Sequence, residues 1–219
     1  MICISCFIYD QAVLEGVATS FPQTEEIIES GIVNGVSVAD VQKILNLKHA
    51  WEFILDEDVL QSETNYYMLC HIVRIINEGF FYDGGRIRGV PVTIGGSNYI
   101  SLLPVEAIVK EQIAEITRQD KAVIDIAIEL CLYCMKTQVF LDGNKRASVI
   151  FANHYLIAHG ICVAAVSMAG PSFFLAYLRY SWYDKKRKEK QNAKFDDMRL
   201  FFMHGNTQGN WFRKAWLFI

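Results

Sequence analysis

The chain has 219 residues, 52% of them hydrophobic and 21% charged, with 21 basic side chains against 24 acidic ones. That length suits one good-sized domain with a real core, and that composition excludes a disordered chain. A net charge of −3 at pH 7 argues against a surface made for nucleic acid.

Helical patterns dominate from the start. A short helix is expected from about Asp10 to Ala18, and a second from about Thr24 to Ser30, with Pro22 and Thr24 as start signals and Gly31 as the stop. A third begins near Ser37 and runs through Val41, Ile44, Leu45 and Ala50 to Ile54. The preceding Gly35-Val36 step has a superficial likeness to a helix-turn-helix reader, but no basic second helix follows, and a cap at Ser37 accounts for it. A fourth helix spans about Glu63 to Asn77 and ends at Gly79. Between Asp83 and Ser101 the chain turns glycine-rich, and Val90, Val92 and Ile94 alternate with Pro91 and Thr93. A period of two with an internal proline predicts an edge strand, hence a small hairpin or flap. Leu103-Pro104 opens the next helix. The segment from about Asp120 to Thr137 is apolar nearly all round, as is the one from Asn144 to His159 that stops at Gly160. Helices of this kind sit at the centre of a domain. An aromatic amphipathic helix (Phe173, Phe174, Tyr177, Leu178) and another from about Met198 to Met203 follow. The apolar tail, Trp211 to Ile219, is expected to pack on the domain or on a second subunit, which leaves a homodimer open.

The two central helices meet at Gln138-Val139-Phe140-Leu141-Asp142-Gly143-Asn144-Lys145-Arg146. A carboxylate, a glycine, an amide and two cations at the start of a helix suit a polyphosphate with a divalent metal. The first helical turn presents unpaired N–H groups at the positive end of the helix dipole, and phosphate oxygens satisfy them. Gly143 lets the backbone approach a ligand closely, Asp142 is a hard oxygen ligand of the type magnesium takes, and Lys145 and Arg146 neutralise phosphate charge. An ordinary loop before a capped helix is the plainer reading of Asp-Gly-Asn alone. The paired cations and the two apolar flanking helices favour the phosphate reading.

Other features carry less. Cys3/Cys6 and Cys131/Cys134 form two Cys-x-x-Cys pairs, but they lie far apart and the second sits in a buried-helix pattern, so core thiols are favoured over zinc. The basic run Lys185 to Lys190 reads as a solvated helix end. The apolar region from Ala147 to Gly170 is interrupted by Asn153, His154, His159 and Gly160, so a buried helix plus a turn is expected and no membrane span. The N-terminal segment lacks a positive n-region, which makes a cytoplasmic location the expectation.

Val139 to Arg146 resembles the signature of the Fic/Doc (Fido) family, His-Pro-Phe-x-Asp/Glu-Gly-Asn-Gly/Lys-Arg. Leu14-Glu15-Gly16 with Thr19 resembles the segment that carries an inhibitory glutamate in self-inhibited members. Leu45 to Ala50 is similar to the Asn-x-x-x-Ala element that follows it, and Gly89 to Gly96 resembles the family's flap. The resemblance covers about residues 10–165. It implies an all-α, Fic-type helical fold with a small β-hairpin flap (83–101), an inhibitory helix region (10–35) and central helices with the motif (120–160), all in one domain over 1–219. It also implies ATP bound with Mg2+ and transfer of a phosphate-containing group, usually AMP, to a hydroxyl of a protein target or of the chain itself. Carried over by position, Asp142 is the metal ligand; Gly143, Asn144, Lys145 and Arg146 hold phosphates; Gln138, Asp142 and Arg146 are the catalytic set. Val92, Thr93 and Ile94 pair with an extended target segment, and Glu15 intrudes on the nucleotide site. No nucleic-acid or membrane partner is implied.

The pattern departs at three places. The signature histidine is Gln138, whose amide has no useful basicity, and loss of a general base costs roughly a hundred- to ten-thousand-fold. Gln138 retains the means to position a hydroxyl by hydrogen bonding. Lys145 stands where adenylyl-transferring members have glycine, as in Doc-like members that transfer the γ-phosphate. Val149 stands where many members have a second arginine that pairs with the inhibitory glutamate, and Gln11 replaces the usual Ser/Thr. These leave Lys145 or Arg146 as partners for Glu15. No other base is evident, since His71 and His154 sit in helical patterns.

Overall fold

A computed structural model describes residues 4–93 and 100–161, with eight helices and two short strands among them. Helix α1 (Ile4–Leu14) starts six residues before the position expected from the sequence. Tertiary burial recruits the apolar N-terminus: Ile8 and Ala12 are fully buried, and the Phe7 ring lies 5.4 Å from that of Trp51. Helix α2 (Phe21–Ser30) also starts early, because Ser20 and Gln23 form a capping box, while Gly31 ends it in the left-handed conformation. Helix α3 (Val38–Leu55) begins after the N-cap Ser37, as its pattern predicts.

A single-turn helix α4 (Glu57–Leu60), capped by Asp56, precedes α5 (Tyr66–Ile76), whose N-cap is Asn65. The turn of α4 carries no periodic signal, and the sequence gives no warning of it. Strands β1 (Val92–Thr93) and β2 (Ile100–Ser101) pair antiparallel, Val92 with Ser101 and Thr93 with Ile100. They form the base of the expected flap. Helix α6 (Glu106–Thr117) leads to α7 (Val123–Thr137) and α8 (Asn144–Ala158). Ile94, the aromatic helices expected near Phe173 and Met198, the basic run and the apolar tail lie outside the described residues.

The fold is helical with a small hairpin. Helix α8 is buried along nearly its whole length and packs against α7, α5 and α3, and α1 and α2 pack on α3. Apolar side chains from these helices meet in one continuous core, from Ile8 and Ile27 through Trp51, Ile72 and Leu130 to Phe151. Cys131 and Cys134 belong to this core, where burial holds both thiols protonated. His154 lies inside α8 with no exposed surface; Nδ1 meets the Thr64 hydroxyl at 2.8 Å and Nε2 meets the Val59 carbonyl at 3.0 Å. His71 is exposed and stacks on Phe53, centroids 4.5 Å apart. No described helix is long and apolar enough to cross a membrane.

Candidate functional site

The loop 138–143 joins the two central helices, and its shape is set at both ends. Helix α7 ends at Gln138, which adopts φ 50° and ψ 60°, the one non-glycine residue with positive φ among those described. An L side chain in this region costs roughly 1–2 kcal/mol. Hydrogen bonds hold it there: the Gln138 N–H donates to Cys134 O at 3.2 Å, and its side-chain Nε2 donates to Met135 O at 2.5 Å. At the other end Gly143 is the N-cap of α8 with φ 79°. A Cβ at Gly143 would sit 3.2 Å from Asn77 Oδ1 and 3.4 Å from a methyl of Ile76, a tight fit, and the positive φ favours glycine there.

No side chain caps α8. The first-turn N–H groups therefore face outward at the positive end of a buried helix. Asn144 turns back instead. Its Nδ2 donates to Phe140 O at 2.7 Å, its Oδ1 accepts from the Phe140 N–H at 2.9 Å, and a longer contact of 3.4 Å reaches Gln138 Oε1. The Asn144 amide thus closes the loop, and what it offers to a ligand is its backbone N–H.

Charge gathers in front of this helix end. Arg146 is 6% exposed and donates through Nη2 to Asp142 Oδ2 at 2.7 Å. Glu15, in the turn after α1, comes from the other side: its Oε1 lies 3.2 Å from Lys145 Nζ and its Oε2 lies 3.8 Å from Arg146 Nε. At that range Nε makes no hydrogen bond, and it is a buried donor with no hydrogen-bond partner. Two carboxylates and two cations thus share one site in front of the N-terminus of α8. The sequence-predicted residues Glu15, Gln138, Asp142, Gly143, Asn144, Lys145 and Arg146 are brought together here. Val92 and Thr93 lie on the flap base; Ile94 lies outside the described residues.

Two further residues shape the site. Asn77, at the C-terminus of α5, is 2% exposed and donates through Nδ2 to Asp142 O at 3.1 Å and to Gly84 O at 3.4 Å. It fixes the carbonyl between the candidate metal ligand and Gly143. Arg88 is 3% exposed and bonds to backbone carbonyls of both the flap and the loop. Neither stands out in the sequence. Asn77 reads there as a helix end, and Arg88 as one cation in a glycine-rich stretch.

No described group of three or more His, Cys, Asp or Glu side chains forms a metal cluster. The loop offers a single carboxylate, Asp142, half-buried with one oxygen on Arg146.

Comparison with known proteins points one way. Residues 63–156 match the family model described as Fic/DOC family. No curated protein matches the sequence. Among solved structures, a Fic domain-containing signaling protein from Bacteroides thetaiotaomicron superposes with a TM-score of 0.69 at 18% identity, over 80% of this chain and 70% of that one. A fragment of Fic-1 from C. elegans superposes with a TM-score of 0.68 at 18% identity, over 91% of this chain and 58% of that one. A Fic family protein from Desulfovibrio desulfuricans gives 0.68 at 15% identity, over 80% and 55%. The chain therefore spans little more than half of the last two. Residues 63–156, from the turn before α5 through most of α8, are similar to the Fic/DOC family model, and the described fold is one that Fic proteins share.

Proposed function

We propose that this protein binds Mg–ATP at the 138–146 loop and transfers AMP, slowly, to a Ser, Thr or Tyr hydroxyl of a protein. The observation that carries the reading is the occupied helix end: Glu15 on Lys145 and Arg146 in front of an uncapped α8, with Arg146 Nε buried and without a hydrogen bond. A buried donor without a partner costs about 1–3 kcal/mol. A phosphate oxygen in place of the Glu15 carboxylate would satisfy it. The residues fit magnesium as well as ATP, because this ion is commonly held by one or two carboxylates together with substrate phosphates.

In this reading Asp142 holds the ion, and the ion, when bound, neutralises charge developing on the phosphates. Lys145 and Arg146 hold phosphate oxygens, and the N–H groups of Asn144, Lys145 and Arg146 add the helix end. Val92 and Thr93 align an extended target segment by strand addition. Gln138 orients the attacking hydroxyl without taking its proton, so positioning carries the reaction and the rate is low. Glu15 and ATP compete for the same cations, so displacement of the α1 turn precedes binding.

A second reading, a nucleotide- or partner-binding module without chemistry, draws on the Gln138 side chain itself. Its Nε2 is committed to Met135 O and its Oε1 to Asn144. A third, transfer of the γ-phosphate, draws on Lys145. Incubation with magnesium and ATP labelled at the α- or the γ-phosphate separates them, run beside Gln138→His. Label from the α position alone is the expected result, stronger in Gln138→His. Label from γ alone means phosphoryl transfer. Binding without label in the wild type, with label in Gln138→His, means lost chemistry.

A further inference from the structure

Arg88 is the most heavily bonded buried side chain that the site chemistry leaves unused. Its Nε donates to Gln138 O at 2.5 Å, Nη1 to Val90 O at 2.8 Å, and Nη2 to Leu102 O at 2.6 Å and Ser101 O at 3.3 Å. Its own N–H donates to Val139 O at 3.0 Å. Beside it, Ser101, 4% exposed, donates through Oγ to Thr137 O at 2.9 Å. One guanidinium thus touches the chain just before β1, the chain at and just after β2, and the carbonyl at the C-terminal cap of α7.

The placement follows from charge and shape. Gln138 O belongs to the helix end where the α7 dipole is negative, and a cation is favoured there. A guanidinium presents five donors in a planar fork and stays charged when buried, so it can serve several carbonyls at once; a lysine ammonium on a flexible stem cannot. Burying such a group is expensive unless its donors are met. Here the carbonyls meet them, and the expense is recovered only while the flap base and the Gln138 corner stay together. The same contact helps hold Gln138 at its left-handed φ of 50°.

We propose that Arg88 is a positioning residue that locks the flap base and the Gln138 corner into one rigid unit, so that whatever lies along the flap is presented at a fixed distance from Gln138. Its consequence for transfer rests on the transferase reading above; the mechanical coupling does not. Arg88 acts through Val90, Leu102 and Gln138 and has no part in holding the nucleotide.

The test is hydrogen–deuterium exchange on the full chain, comparing wild type, Arg88→Lys and Arg88→Ala. Peptides covering 86–93, 100–103 and 136–141 report the coupling, and peptides from α5 and α8 report global folding. In Arg88→Ala the flap base and the corner are expected to exchange faster together, by about tenfold, with α5 and α8 unchanged. Arg88→Lys gives a smaller change in the same peptides, and methylguanidinium added to Arg88→Ala restores protection in both. Loosening of one segment without the other, no change in either, or no rescue overturns the proposal. If Arg88→Ala does not fold, Arg88→Lys decides by the same criterion. In a Gln138→His background, Arg88→Ala is further expected to lower label transfer from α-labelled ATP about tenfold while leaving ATP affinity unchanged; loss of both together overturns it. If the Gln138→His parent shows no label at all, the transferase reading falls, and the exchange experiment decides the role of Arg88.

Discussion

Gln138 sits in backbone geometry that most side chains avoid, and its neighbours hold it there. The amide N–H, the side-chain Nε2 and the carbonyl are all bonded, the last to Arg88. Histidine is among the residues that tolerate this region, so Gln138→His should leave the corner intact, which makes it a fair probe of chemistry. Gln11 is the opposite case: it is 2% exposed, and neither its Nε2 nor its Oε1 has a partner. An apolar side chain of similar volume removes that desolvation penalty. Gln11→Met is therefore expected to stabilise the protein by about 1–2 kcal/mol, seen as a Tm several degrees higher in a thermal melt. A lower Tm would mean that the amide is satisfied. His154 gives a pH dependence. Burial holds the ring below its ordinary value, with the Val59 bond opposing this and His159 adding to it. As pH falls, the unfolded chain takes up this proton before the folded one. The stability His154 contributes is complete above about pH 6.5 and declines as pH drops below that. Urea midpoints at about pH 7.5 and about pH 5.5 should differ less in His154→Gln, which retains a donor for Val59 and an acceptor for Thr64. An equal difference in both proteins would contradict this. The motif residues were readable because their types announce a chemistry. Arg88 and Asn77 were not, because the partners that tie them to the loop, Gln138 O and Asp142 O, are backbone carbonyls distant in sequence.

Among the elements, α5 and α3 share the task of holding the loop. Asn46 on α3 donates through Nδ2 to Ile76 O at 3.0 Å and Glu78 O at 2.8 Å, and accepts from Gln42 at 2.7 Å. It closes the C-terminus of α5, and from there Asn77 reaches Asp142 O. Asn46→Ala leaves the buried Ile76 carbonyl and the part-buried Glu78 carbonyl without this donor and should cost about 2 kcal/mol in urea unfolding. Ser37→Ala, which removes the cap bond to the Asp40 N–H and an exposed bond to the Asp40 carboxylate, should cost about 1 kcal/mol. The reverse order would contradict this reading of the α5 terminus. Helix positions followed the apolar period in α3, α7 and α8, whose cores are long. Helix starts were less legible: α1 and α2 both begin before their expected positions, because burial of Ile8 and Ala12 and the Ser20–Gln23 box decide them. The alternation around Pro91 did reveal the hairpin, whose base pairs Val92 with Ser101.

At the scale of the whole molecule, the helices serve one arrangement. Helix α8 is buried along its length, its N-terminus is left without a side-chain cap, and the turn after α1 delivers a carboxylate to it. Glu15 is far from Lys145 in sequence, and the packing of α1 on α2 and α3 brings the two within 3.2 Å. The resemblance anticipated this meeting; spacing alone could not, since the two residues are separated by most of the domain. The central claim is that the helix end is an anion site held shut by Glu15. Calorimetric titration with Mg–ATP tests it directly, using wild type, Glu15→Gly and a Glu15→Gly/Arg146→Ala double variant. Glu15→Gly is expected to bind about tenfold or more tightly than wild type, and the double variant to lose that binding while keeping a cooperative melt. Equal affinity with and without Glu15, or no binding to Glu15→Gly at all, would contradict the account.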